Sequence, residues 1–271
     1  MNTILVPRFG ELPIEQVNGA ELAKLDAELV EDELAPSTRA NVHSVLRAVL
    51  RCAVQAGLLA SMPAMPRMPK VGHTQPRPMR RQDLDQILAQ AAPAARLAFE
   101  LAAFAGLRAG EVRGLRWTDV DLKAGTLTVR RSITVGEETT PKSHHQRLIP
   151  LCRQLRASLE SAAPAKANPW APVSLTAYGK PWGEFGLNQA FKRTLQRAGE
   201  SGWTFHSLRH FFVTELFRNG VQAPAVRQLA GHADLGTTQR YADLDGNDLR
   251  AAIERLDAGG AELNGAGSMV D

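Results

Sequence analysis

Apolar residues recur at three- and four-residue steps over residues 37–60, where Val42, Val45, Leu46, Val49, Leu50 and Ala53 form one stripe. That period belongs to an amphipathic helix. Ser37 is the expected N-cap and Gly57 the expected stop. Leu22, Leu25 and Leu29 repeat the spacing earlier in the chain and read as buried helix positions. Further helical patterns cover 84–91, 94–105, 111–115, 154–162, 185–198, 207–219, 223–229 and 249–256, with Gly106 as the stop of the second. Strand patterns fall at 126–130 and 147–151, separated by a turn-rich stretch at 136–145. They predict a β-hairpin with a long basic tip. The chain therefore reads as mainly α with a small antiparallel sheet, an α+β class. A Gly/Ala-rich tail closes it at 258–271 and is expected to fray.

Prolines 63, 66, 69, 76 and 78 interrupt this pattern. A stretch so rich in proline cannot continue a helix and stays extended. It is also basic, with Lys70, Arg77, Arg80 and Arg81. The organisation predicted is a helical part over 1–65, a basic linker over 66–80 and a larger domain over 81–257.

Composition narrows the class. The 271 residues are 44% hydrophobic and 22% charged, which suits folded domains rather than a disordered chain. The longest apolar stretches are too short or too charged to span a bilayer. The N-terminus has no basic region leading into an apolar run, so no cleaved secretory signal is expected. Cys52 and Cys152 form no CxxC, which argues against a disulfide framework or thiolate zinc site and for a reducing, cytoplasmic setting.

Charge is distributed unevenly. Residues 1–35 hold eight acids against two bases, so the rest carries 30 bases against 20 acids. That balance suits a polyanionic partner. Arg39, His43, Arg47 and Arg51 stand every fourth residue on the helix over 37–60, and no acid lies between Thr38 and Leu59. They predict a basic ridge opposite the core face, available to phosphates. A solvated charged face is the competing reading.

The densest chemical signal is HSLRH, His206 to His210, which sets His206, Arg209 and His210 on one helix face. The histidine spacing matches that of zinc hydrolases. The general-base Glu is missing, however, because Ser207 stands there, and Arg209 would place a cation beside the metal. Two buried, hydrogen-bonded histidines are the structural alternative. Three other stretches accompany it: AGLRAGEVRGLRW from Ala105, PKSHHQRLIPL from Pro141, and LAGHADLGTTQRYA from Leu229. No G-x-x-x-x-G-K-[ST] is present for a nucleotide-driven motor, and no carboxylate cluster suggests two-metal chemistry.

Together these stretches resemble the tyrosine recombinase (phage integrase) family. The family shows a GLR-x-x-E box, a hairpin lysine before an R-x-I-P strand, an H-x-L-R-H box, a G-H box and a tyrosine about nine residues later. All five occur here in that order. The resemblance covers roughly residues 80–257 and is fainter over 35–66, which is similar to the family's helical core-binding domain without its first helix.

The resemblance implies a site-specific DNA recombinase with Arg108, Lys142, His206, Arg209, His232 and Tyr241 as its catalytic set and Glu111 in support. Tyr241 would be the nucleophile and Lys142 the general acid. It implies double-stranded DNA as partner, a tetramer on two DNA sites, and no metal or cofactor. The helix at 249–256 would dock on a neighbouring subunit. Arg39, Arg47, Arg51, Lys70, Arg77, Arg80 and Arg81 are the expected DNA-backbone contacts. The rival readings are a type IB topoisomerase-like relaxase and a DNA-binding regulator without turnover. The expected location is the cytoplasm, on the nucleoid if the source is bacterial.

Overall fold

The structure, a computed structural model, describes residues 3–67, 77–139, 146–164 and 168–231. The chain divides into two compact units, Met1–Gln75 and Pro76–Asp271.

In the first unit, α1 (Leu5–Phe9), a 3-10 turn (Ile14–Gln16), α2 (Gly19–Glu31) and α3 (Pro36–Gln55) enclose one apolar core. Asn18 caps α2 by accepting from the N–H groups of Ala20 and Glu21. Leu22, Leu25 and Leu29 of α2 are buried with Val42, Leu46 and Leu50 of α3. The start of α3 differs from expectation. Ala35 is the N-cap and Pro36 occupies the first turn, because proline's fixed φ suits that turn and its missing N–H would be unpaired there anyway. The helix ends at Gln55, and the chain turns away through Gly57 at φ +75°.

The basic ridge on α3 needs correction. His43 is fully buried, with Nε2 2.7 Å from Oδ1 of Asp26. Arg39 is turned onto the same carboxylate, its Nη2 2.9 Å from Oδ1 and 3.1 Å from Oδ2. Three steps of four residues drift about 120° around the helix, and the acidic α2 supplies a partner within reach. So the N-terminal half of the ridge is consumed inside the fold. Arg47 is half-buried and Arg51 exposed, and neither has an ion-pair partner among the described residues. We expect Arg47→Gln with Arg51→Gln to lower the slope of log K against log salt for DNA binding by about 1.8 if each side chain meets one phosphate. Arg39→Gln should instead destabilise the first unit and leave the slope in place. Salt titrations of the variants check both, and an unchanged slope in the double variant makes these two arginines a solvated face.

The second unit contains α4 (Arg81–Ala89), α5 (Pro93–Phe104), α6 (Ala109–Gly114), α7 (Arg153–Ala162), α8 (Gly186–Arg197), α9 (Phe205–Arg218) and α10 (Ala223–Ala230). Two small sheets accompany them. Strands β1 (Val120–Asp121), β2 (Thr126–Val129) and β5 (Arg147–Pro150) form an antiparallel sheet in the order β1-β2-β5, and β3 (Ser132–Thr134) pairs with β4 (Glu137–Thr139). The fold is thus mainly α with small antiparallel sheets. The span between β2 and β5 is not one long hairpin tip, since β3 and β4 form a hairpin of their own within it. Residues 140–145 lie outside the described residues, as does the helix expected at 249–256.

Helix α5 is central. Its Ala98, Phe99, Leu101 and Ala102 are buried, so it presents apolar side chains nearly all round. Phe99 meets Phe191 of α8 and Phe205 of α9 edge-on, with centroids 5.2 and 6.0 Å away. This geometry suits the quadrupoles of the rings. Gly106 ends the turn after α5 at φ +64°, and a Cβ there would lie 2.4 Å from the Phe212 ring. Only glycine permits both the left-handed turn and the close approach of α9. Among the described residues no helix is long and apolar enough to cross a membrane.

The last residues of the expected linker belong to this unit. The Arg77 guanidinium pairs with Asp83 and lies over the Trp203 ring, 5.0 Å from its centroid, while the Arg77 carbonyl accepts from Trp203 Nε1 at 2.9 Å. The Arg80 N–H donates to Asp83 Oδ2 at 2.7 Å. Arg81 pairs with Asp85 at 3.0 Å and reaches Gln154 at 2.6 Å. Residues 77–81 are therefore docked at the N-terminal edge of α4, with the side chains of Arg77, Arg80 and Arg81 exposed on its surface. Lys70 lies outside the described residues.

Candidate active site

The site assembles where α6, α9, β5 and the end of α10 meet. Helix α6 opens on Arg108. Glu111, at the third position of that helix, accepts from the Arg108 N–H at 2.9 Å and from its Nη1 at 3.0 Å. This is the reach-back contact of a capping box, here extended to the side chain. It explains the G-L-R-x-x-E spacing physically, because three residues separate the end of the chain's turn from the first carboxylate able to fold back.

Arg209 sits in the first turns of α9. Thr204 caps that helix, with its N–H donating to Ser207 Oγ at 3.0 Å. Ser207, the residue that departs from the zinc-hydrolase pattern, thus has a local structural task. Arg209 is buried, and its two terminal nitrogens donate to the carbonyls of Gly106 and Ala230. Arg108 Nη2 donates to the carbonyl of Gly231 at 3.0 Å. Two arginines 101 residues apart thereby converge on consecutive carbonyls at the end of α10.

A third arginine joins them, one outside the catalytic set that the resemblance implies. Arg147 opens β5, opposite Val129 of β2. Its Nη1 and Nη2 form a fork on Glu111, at 3.0 Å to Oε1 and 2.7 Å to Oε2, and its Nε donates to the carbonyl of Leu229 at 3.0 Å. The signal was present in the alternation. Arg147 and Ile149 share the inward face of β5, and a buried arginine must have a partner carboxylate.

The electrostatics follow from these contacts. Burial raises the Glu111 pKa, but the Arg147 fork, the Arg108 N–H and both positive charges outweigh it and hold the carboxyl at about 2. A carboxyl lowered from 4.5 in the unfolded chain stabilises the fold fully above that value, and the contribution is lost as pH falls toward 2. It is on the order of 3 kcal/mol. We expect urea-unfolding stability to decline between pH 4.5 and 2, and Glu111→Gln to flatten that decline. Unfolding curves with the same pH dependence in both proteins would contradict it.

His206 keeps an exposed edge, yet burial of the rest of its ring and repulsion from His210, Arg209 and Arg108 push its pKa down to about 4. At neutral pH it is uncharged and able to accept a proton. Burial and Arg209 lower His210 in the same direction. The two rings stand edge to face, 4.6 Å between centroids. Among the described residues no group of His, Cys, Asp or Glu could hold a metal ion. The structure brings Arg108, Glu111, His206 and Arg209 of the expected set together. Lys142, His232 and Tyr241 lie outside the described residues, although α10 delivers the chain to Gly231, the residue before His232.

Residues 77–247 match the sequence profile of the phage integrase family. The tyrosine recombinase XerC of Rhodospirillum centenum is 32% identical over 240 residues, covering 82% of this chain and 67% of the relative. Against further curated XerC proteins the chain spans about half of their length. The Tn1549 transposon integrase, solved in complex with a circular intermediate DNA, superimposes with a TM-score of 0.74 at 21% identity, over 90% of this chain and 87% of that one. A lambda integrase tetramer bound to a Holliday junction gives 0.65 at 19% identity, over 86% and 72%. These structural likenesses are of fold. With the profile covering more than half of the chain, this protein belongs to the phage integrase family, that of the tyrosine recombinases.

Proposed function

We propose that the chain is a site-specific DNA recombinase that works through a 3′-phosphotyrosyl intermediate. The observation that carries this is the convergence of Arg108 and Arg209 beside a neutral His206. A phosphodiester resists attack because its non-bridging oxygens are anionic and its alkoxide leaves poorly. Fixed planar cations that match two phosphate oxygens lower that barrier without a metal. The Tyr241 oxygen would attack phosphorus and the 5′ oxygen would depart. His206 takes or positions the phenolic proton, Lys142 supplies the proton to the leaving oxygen, and His232 donates to a non-bridging oxygen. Because the phosphate bond energy is kept in the tyrosyl ester, a 5′ hydroxyl from a partner strand can reverse the step and join to it.

Two such exchanges pass through a Holliday junction and need four active sites on two duplexes, so the working form is a tetramer. The first unit grips DNA through its remaining basic residues, Arg47 and Arg51. Such a reaction on chromosomal or mobile DNA takes place in the cytoplasm.

A nicked duplex, drawn from a randomised pool by binding to the purified protein, tests the reading. Covalent adduct on the nicked strand excludes a regulator without turnover. Product joined to a second duplex excludes a relaxase that only reseals its own strand. Binding without adduct on every selected duplex would overturn the proposal.

A further inference from the structure

We propose that Arg147 is a positioning residue of this site, setting the Arg108 fork and the end of α10 from a single fixed point. The inference rests on the recombinase reading above. All three nitrogens of its guanidinium are engaged within the protein: two on Glu111 and the third on the Leu229 carbonyl. Its side chain is only 4% exposed. A phosphate would have to compete with a buried bidentate carboxylate, so Arg147 serves the reaction through its neighbours rather than as a phosphate ligand.

Those neighbours are the reacting groups' supports. Glu111 holds Arg108 by both its N–H and its Nη1, so a shift of the Glu111 carboxylate moves the Arg108 fork. The Leu229 carbonyl lies in the last turn of α10, one residue before the carbonyl held by Arg209 and two before the carbonyl held by Arg108. The chain from that end runs on to His232 and Tyr241. Gly231 completes the argument. It adopts φ +64°, and a Cβ there would stand 3.0 to 3.2 Å from the Arg147 guanidinium and Cδ. The turn that leaves α10 is thus built against the Arg147 side chain. Arg147 also begins the strand that follows Lys142 by five residues in sequence. One side chain therefore ties the strand, the carboxylate behind the first arginine, and the helix end.

The test compares the full chain with Arg147→Lys on the selected nicked duplex, measuring binding affinity, single-turnover adduct rate and melting midpoint. Lysine keeps the charge but cannot form the fork and the Leu229 contact together. We expect adduct formation to slow about a hundredfold, the scale of a 1 Å misplacement, with affinity within about threefold of wild type. Because a buried lysine can unfold the unit, a second variant pairs Arg147→Met with Glu111→Gln, which removes one charge of each sign and leaves the net charge of the cluster unchanged. It should slow adduct formation by less than the product of the two single losses, since the Arg147–Glu111 contact is shared and only the Leu229 contact is Arg147's own. The proposal falls if folded Arg147→Lys forms adduct at the wild-type rate. It also falls if adduct and affinity decline in equal proportion, or if the double variant multiplies the two single losses. Wild-type protein that forms no adduct overturns the recombinase reading itself, and this proposal with it.

Discussion

Tyr241→Phe is expected to bind the selected duplex within about threefold of wild type and to form no detectable covalent adduct. The phenol oxygen is the only atom removed. A phenol with pKa near ~10 is a poor nucleophile until its proton leaves, and phenylalanine has no oxygen to supply at all. Binding should persist because Arg108, Arg209 and the basic residues of the first unit are untouched. Denaturing electrophoresis of the reaction with labelled DNA reads the adduct directly. An adduct of normal yield from the phenylalanine variant would show that another side chain attacks.

Arg209→Lys is expected to lower the adduct rate by about a thousandfold, the upper range for removing one preorganised donor from a transition state. Lysine retains the charge and loses the planar fork. In this fold it loses more than that, because Arg209 joins the Gly106 carbonyl to the Ala230 carbonyl across 124 residues of chain. Part of the defect will therefore be misplacement of α10. Single-turnover rates measured beside affinity locate the defect in the transition state, since lysine keeps the charge and ground-state binding should change little. A rate within tenfold of wild type would remove Arg209 from the transition state.

Much of this architecture was legible in the sequence because local periodicity survives folding. The apolar stripe of α3 and the alternation of β2 and β5 fall within a few residues of their expected bounds. Glycines 57 and 106 end their helices as their position suggested. What the chain did not disclose are partnerships across sequence. Nothing in the spacing of Arg39 and His43 tells that Asp26, on another helix, will draw both inward. Nothing in the 136–145 composition separates a loop tip from the short β3–β4 hairpin, whose Glu137 and Glu138 are exposed and carry no apolar alternation. The arginines of HSLRH and GLR were evident as chemistry. Arg147 does not stand out by spacing, because its partner Glu111 lies 36 residues earlier, and only the burial of its strand face reveals the need for one.

The run of carbonyls at Leu229, Ala230 and Gly231 bears on how the protein holds together before any DNA arrives. Three guanidinium ions crowded into one pocket would repel each other strongly. The α10 C-terminus contributes roughly half a negative charge, and Glu111, held ionised, contributes a full one. Against three arginines that leaves roughly +1.5. A resting phosphodiester carries one negative charge, and the pentacoordinate species formed during attack carries nearly two. The pocket exceeds the resting charge by roughly half a unit and falls short of the pentacoordinate charge by about the same, so positive charge remains to meet the negative charge that develops during attack. The helix end thus acts as a built-in counterion, keeping the empty pocket folded while leaving enough positive charge to favour the reacting phosphate over the resting one.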